Sequence, residues 1–394
     1  MDVVSPFLGG QQGVQTQVDN YHIFNGYFFR HIDGISLSIA AKGGPAMENE
    51  KLYQEVAEMI NKDDPHIVGM SLTPAFLKLL SLQMTPDEAR LALQVGLKGM
   101  TLDEIAAKTG KKKDVLKKML NTMADKGTLW IDPGKEDPKY RVLGSCAPGF
   151  TETGLFGNIR HSYDIELAKV LHQVMYEWAR DKLCKLGFPF APVWAHPWAL
   201  PKDAKPEENL IDFLKSQNYF CVSTCPCRLS NWISNPDDHC QHMLETCLHS
   251  GDTGRWCVEH GLGREITLDQ ALELLRKANA DGLVHTINIE GFICNCCTDC
   301  CPLFVGFHKL KTKTMIASPF IPAIDEDKCN ACGSCIEICP VKALELEDVA
   351  KVDIDTCIGC GLCVTHCSPK AIKLVRRAQK VAIPDDVKGH IDKL

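Results

Sequence analysis

Chemistry in this chain is concentrated in its cysteines, of which there are 21, all but two of them between Cys221 and Cys367. Two runs are regular: Cys329-x2-Cys332-x2-Cys335-x3-Cys339-Pro340, then Cys357-x2-Cys360-x2-Cys363-x3-Cys367-Ser368-Pro369. Each cysteine of the first run recurs 28 residues later in the second (329 to 357, 332 to 360, 335 to 363, 339 to 367). Thiols two or three residues apart are better placed to converge on a metal than to pair with each other, so they read as reduced thiolate ligands. Paired C-x2-C units also make zinc ribbons, but zinc would leave the third and fourth cysteine of each run without a task. Soft sulfur in this number and register points to iron-sulfur clusters and the passage of single electrons.

The repeat resembles the bacterial-type two-cluster ferredoxin over about residues 324–375, a family in which three cysteines of each run hold one 4Fe-4S cube and the fourth reaches the other. The resemblance implies that Cys329, Cys332, Cys335 and Cys367 bind one cluster, and Cys357, Cys360, Cys363 and Cys339 the second. Gly333 and Gly361 are expected to let backbone N–H groups approach cluster sulfur, and Pro340 and Pro369 to end the helical turn after each fourth cysteine.

A second, irregular group lies upstream: Cys225 and Cys227 in Thr224-Cys225-Pro226-Cys227-Arg228, then Cys240, Cys247, and the dense run Cys294-Asn295-Cys296-Cys297-Thr298-Asp299-Cys300-Cys301. Adjacent cysteines do not comfortably serve one cube, so Cys296-Cys297 and Cys300-Cys301 suggest two centres, or ligands mixed with bystanders. These nine cysteines are read as metal ligands for one or two further iron-sulfur clusters. Structural zinc, with His239, His242 and His249 nearby, and a catalytic non-cubane cluster stay open as alternatives. Arg228 is either a donor to cluster sulfur or an ordinary surface arginine. Cys146 and Cys184 stand alone and receive no role. The pattern around Cys225-Pro226-Cys227-Arg228, Cys247 and Cys294-Asn295-Cys296-Cys297, followed by a ferredoxin segment, resembles a sparsely characterised family of anaerobe 4Fe-4S proteins with a winged-helix-like region ahead. That resemblance covers about residues 70–375 and implies an electron-transfer accessory subunit.

The elements that must position these ligands are α+β and multidomain. Residues 1–45 read as an irregular extension with aromatics at Tyr21, Phe24, Tyr27, Phe28 and Phe29. Residues 46–145 read as a winged-helix-like domain. Thr73-Pro74 and Thr85-Pro86-Asp87-Glu88 cap helices, and Thr101-Leu102-Asp103-Glu104 starts one that runs to about Lys108. A second helix spans about Lys112 to Lys126, before the hairpin signals Leu129-Trp130-Ile131 and Tyr140-Arg141-Val142-Leu143. Residues 146–215 comprise an amphipathic helix from Asp164 to Lys185, with Ile165, Val170, Leu171, Val174, Met175 and Trp178 near one face, and a linker marked by Pro189, Pro192, Pro197 and Pro201. A cysteine-rich metal-binding domain occupies 216–317, with a helix capped at Thr267 that runs through Lys277. The two-cluster ferredoxin domain covers 318–376, and 377–394 is a tail.

Composition narrows the function. With 394 residues, 45% apolar, 24% charged and a formal charge of −7, this is a globular chain without the charge that announces nucleic acid or membrane. No window approaches the roughly 18 apolar residues of a membrane helix and no export signal is evident, so a cytoplasmic location is expected. The chain carries neither a Gly-rich dinucleotide fingerprint nor a phosphate loop. The expectation is a non-catalytic subunit carrying electrons between redox partners, one of them a catalytic oxidoreductase. The competing class is a redox-sensing DNA-binding regulator, for which Lys111, Lys112, Lys113, Lys117 and Lys118 supply a basic helix while Asp103, Glu104, Asp114 and Asp125 dilute it.

Overall fold

A computed structural model describes residues 21–24, 27–30, 47–63, 69–144, 149–186, 189, 191–287 and 291–378. Most of the N-terminal extension, Cys146 and the tail from residue 379 lie outside the described residues. The chain divides into residues 1–46 and residues 47–394. In the first unit Tyr21–Phe24 pairs antiparallel with Tyr27–Arg30.

The second unit begins with helices α1 (Met47–Asp63), α2 (Pro74–Gln83) and α3 (Pro86–Val95). Thr73 Oγ1 accepts from the Phe76 N–H, and Thr85 with Glu88 forms a reciprocal capping box, so the polar signals in the sequence do fix these starts. Thr101 and Glu104 repeat the box at α4 (Leu102–Thr109), which ends at Gly110 with φ of +67°. Helix α5 (Lys113–Asp125) leads into the hairpin β1 (Leu129–Ile131) and β2 (Tyr140–Val142). Trp130 of β1 stacks on Trp256 with ring centroids 5.3 Å apart, and His260 Nδ1 meets Asp125 Oδ1 at 2.7 Å. The helical region is thereby packed onto the cysteine-rich half.

Helix α6 (Asp164–Asp181) is shorter than its sequence pattern, with a single 3-10 turn at Leu183–Lys185. Leu167, Val170, Leu171, Val174, Met175 and Trp178 form its buried stripe. Ile165 does not join it: in the first turn it is 48% exposed, beyond the neighbours that cover the rest.

The proline-rich run is no simple linker. Ala191–Trp194 is β3, a strand inside a seven-stranded sheet completed by β4 (Phe220–Thr224), β5 (Glu245–Ser250), β6 (Arg264–Ile266), β7 (Val284–Ile287), β8 (Phe292–Cys296) and β9 (Met315–Ile316). The order is β9-β3-β7-β8-β5-β4-β6, antiparallel except for β9 beside β3. Pro192 is tolerated because this part of the sheet pairs briefly. Helix α7 (Pro226–Ser234) follows β4 and packs on α6, while α8 (Gly251–Glu259) follows β5. Helix α9 (Leu268–Ala280) reaches three residues past Lys277 and covers Val222, Leu248 and Ile293 through Ala271, Leu274 and Leu275. Helix α10 (Pro302–His308) closes the cysteine-rich run.

Beyond it, β10 (Phe320–Ile324) pairs antiparallel with β13 (Ile372–Arg376), and β11 (Leu344–Leu346) with β12 (Ala350–Val352), around one-turn helices α11 (Ser334–Glu337) and α12 (Leu362–Thr365). The 28-residue repeat is written into the backbone. Positive φ values recur in register at Ala331 and Gly359, Gly333 and Gly361, and Lys342 and Lys370. At Gly333 the conformation, not room for a neighbour, demands glycine, since nothing lies within 4 Å of the place a Cβ would take. Gly361 needs both, because a Cβ there would press on Ala199.

Candidate iron-sulfur sites

In the last segment the two turns wrap two separate pockets. One is lined by Cys329, Cys332, Cys335 and Cys367, the other by Cys339, Cys357, Cys360 and Cys363. The fourth cysteine of each run thus crosses to the other pocket. Backbone N–H groups of Ala343, Gly359 and Ala371 donate to the sulfurs of Cys339, Cys357 and Cys367 at 3.2, 3.4 and 3.3 Å, hydrogen bonds that stabilise thiolate charge. Burial pushes Cys360 up to about 12, so this pocket demands a compensating cation before all four sulfurs ionise. Four soft donors around an apolar hollow with aimed N–H groups fit a 4Fe-4S cube. Arg377, which sequence reasoning passed over, straps this pocket by donating to the carbonyls of Ser318, Phe320 and Cys357.

The nine upstream cysteines fall into two groups. Cys225, Cys227, Cys247, Cys294, Cys296 and Cys301 line one buried chamber between the sheet and helices α6 and α7, whose wall Cys297 also borders. Their side chains meet in a chain of contacts, from Cys227 to Cys225, Cys247, Cys294, Cys296 and Cys301. Cys225 is held well below the usual thiol range by Cys227 and Cys247, with Arg228 adding to it; Cys296 is held down by Cys294, Cys301 and Thr286. The remaining three, Cys240, Cys297 and Cys300, have sulfurs within 4.8 Å of one another. By sulfur contact Cys296 and Cys301 go with the first group and Cys297 and Cys300 with the second, Cys297 standing where the two meet.

Arg228 lies between the groups and is fully buried. It donates to Cys297 Sγ at 3.4 Å and to Thr246 Oγ1 at 2.7 Å, as well as to the carbonyls of Met243 and Asn295. The surface alternative for this residue is excluded. His249, one of the candidate zinc donors, is instead sandwiched between Phe156 and Phe292, and burial drives it down to about 3. His239 Nδ1 is engaged by the Pro236 carbonyl at 2.9 Å. Cys221 and Cys257 are both buried and touch each other away from the nine, and Cys184 is half-buried beside Gly306.

A chain of contacts, with a ring-to-ring step between two histidines, joins the chamber to the second ferredoxin pocket. The His196 N–H donates to the Cys360 carbonyl at 2.8 Å, and its ring lies 4.0 Å from that of His285. His285 Nδ1 meets Asn295 Oδ1 at 2.6 Å, and Asn295 sits between Cys294 and Cys296 on β8. Because Asn295 Nδ2 donates to the Thr246 carbonyl at 2.6 Å, its Oδ1 accepts, which places the His285 proton on Nδ1. Neither histidine stood out in the sequence; only their pairing across strands reveals them.

The 4Fe-4S binding domain family matches twice, at residues 322–345 and 350–373. The "Ferredoxin-type protein NapF" of Haemophilus influenzae is 29% identical over 66 residues, which is 17% of this chain and 35% of that protein. The chain thus spans about a third of the length of this curated relative. No solved structure matches it. The C-terminal segment is a ferredoxin-like iron-sulfur domain, and among the described residues no helix is long and apolar enough to cross a membrane.

Proposed function

We propose that this chain is a multi-cluster electron-transfer subunit, in which the six-cysteine chamber and the two ferredoxin clusters form one path between partner oxidoreductases. In this reading each ferredoxin quartet holds a 4Fe-4S cluster and the chamber holds a further iron-sulfur cluster, each accepting and releasing one electron at a time. The observation that carries it is the connection from the Cys360 backbone through His196, His285 and Asn295 to Cys294 and Cys296. A carrier that used only its ferredoxin end would need no second thiolate chamber joined to it. The chain's own residues fix ligand orientation, exclude water from the chamber through Met175, Trp178 and Phe292, and offset thiolate charge through Arg228.

Iron and labile sulfide analysis of oxygen-protected protein tests it: about twelve irons per chain support the extended path, and about eight limit the protein to its ferredoxin pair. Magnetic interaction between a chamber signal and a ferredoxin signal in the reduced protein is expected as well.

The region 102–142 belongs to the same reading as a winged-helix-like docking module. Its lysines 111, 112, 113, 117 and 118 are exposed. The hairpin, however, is committed internally through Trp130 against Trp256, which disfavours the DNA-binding alternative. Sequence-specific, salt-resistant retention of genomic fragments in a gel-shift assay would reverse that ranking.

A further inference from the structure

We propose that Cys240, Cys297 and Cys300, with His242 as fourth donor, bind one tetrahedral metal ion of the zinc class, separate from the iron-sulfur chamber beside it. The proposal rests on the reading above only in taking the six chamber cysteines as a set apart. Sulfur spacing is the main ground. A single ion with bonds of about 2.3 Å holds its thiolates roughly 3.8 Å apart at the tetrahedral angle. A cubane binds each thiolate through a different iron and so keeps its sulfurs farther apart. Here all three sulfurs lie within 4.8 Å of one another, with Cys240 and Cys300 at 3.1 Å. Among the described residues no other three cysteines, including those of either ferredoxin quartet, gather so closely. The quartets act as an internal reference for cubane spacing, and this trio departs from it.

The local sequence suits such an ion. Cys297-x2-Cys300 presents two thiolates from one turn, and Cys240-x-His242 brings a thiolate and an imidazole from another. His242 Nδ1 lies 3.2 Å from Asp281 Oδ1. With Nδ1 held by Asp281, the ring offers Nε2 to the ion, the carboxylate-histidine arrangement that orients metal-binding imidazoles; this nitrogen lies 3.8 Å from Asp299 Oδ2 and outside the three-sulfur group. His242 lines the same cleft as Cys240 and Cys300. Three thiolates around a divalent ion leave one net negative charge, which the Arg228 guanidinium offsets from 3.4 Å at Cys297. Trp232, Met243, Ala278 and Leu283 form an apolar shell around the trio.

Metal analysis of the full chain, purified without oxygen from zinc-supplemented cells, tests this. One zinc per chain is expected beside the iron. Cys300→Ser should lower zinc about tenfold or more under mild chelation while iron per chain holds, and Asp281→Asn, which touches no ligand sulfur, should weaken zinc retention about 10–100-fold. Should the serine variant fail to fold, cobalt(II) exchanged into the unaltered chain gives the absorption of a tetrahedral sulfur-rich site. Loss of about four irons in Cys300→Ser, an unaltered chain without zinc, or a cobalt spectrum lacking sulfur charge transfer would each overturn the proposal. A chain with one zinc and about eight irons leaves it standing while the chamber reading falls.

Discussion

Replacing Arg228 with methionine removes a fully buried guanidinium but keeps most of its volume. At the 3.4 Å separation from Cys297 Sγ, the attraction to a thiolate is about 5 kcal/mol at an effective dielectric of about 20. Thr246 Oγ1 and the carbonyls of Met243 and Asn295 lose their donor as well, at about 1–3 kcal/mol for each acceptor left buried and unsatisfied. Against these losses stands the desolvation cost of the guanidinium, which the variant no longer bears. The net expectation is a loss of about 3–5 kcal/mol, as when one partner of a buried ion pair is deleted. Arg228→Lys, which keeps the charge but not the fork of donors, should fall between the two. The assay is an anaerobic thermal scan at fixed rate, with a drop on the order of 10 °C expected for the methionine variant. Removal of the positive charge should also lower the reduction potential of the chamber. A methionine variant that melts within about 1 °C of the parent and keeps its metal would show that the thiolates need no countercharge, and would refute the reasoning.

Gly359→Ala should destabilise the ferredoxin segment by about 2–4 kcal/mol, since it combines φ of +67° with a clash against the Phe320 carbonyl and Ser318 Oγ. Gly333→Ala, at φ of +79° in open space, should cost about 1 kcal/mol; equal effects in thermal scans would contradict the packing. His249 is held neutral down to about 3 by burial, whereas an unfolded histidine titrates near 6.5. Its contribution to stability is therefore present above about pH 6.5 and is lost as pH falls toward 3. His249→Phe should remove about 1 kcal/mol of the stability drop between pH 6.5 and 5.5, measured as the pH dependence of unfolding. Cys329→Ser and Cys367→Ser should alter one ferredoxin EPR signal, and Cys339→Ser and Cys360→Ser the other; pairing by run instead would sink the crossed ligand set.

The ferredoxin end was legible in the sequence because its ligands repeat locally, and the resemblance to two-cluster ferredoxins that this repeat carries implied Cys367 in the first pocket and Cys339 in the second. Capping boxes at Thr85, Thr101 and Thr267 were legible for a similar reason, since a cap involves only four residues. The sorting of the nine upstream cysteines was not. It depends on which strand faces which helix, a long-range property that spacing does not carry. Pro192 looked like a linker residue because proline opposes strands in general, yet the short pairing of β3 lets it sit in the sheet. Arg228 could not be placed from the sequence because its burial comes from residues 15 to 69 positions away, at Met243 and Cys297.

The division of adjacent cysteines follows from strand geometry. Side chains alternate along β8, so Phe292, Cys294 and Cys296 share one face and Ile293 and Asn295 the other. The first set lines the chamber, which Asn295 also borders; the Ile293 side chain packs against α9 and that of Asn295 reaches His285. Cys297 comes just after the strand ends, where alternation no longer binds it, and its sulfur gathers with Cys240 and Cys300 while the residue still borders the chamber. Across the sheet, β5 repeats the logic, with Cys247 and His249 on the chamber side and Leu248 under α9. One sheet therefore does three things at once: it walls the thiolate chamber with one face, roots its apolar core on the other, and passes Asn295 and His285 sideways toward Cys360. A residue inserted within β8 would exchange these faces, so the ligand pattern and the connection to the ferredoxin pocket depend on the same register.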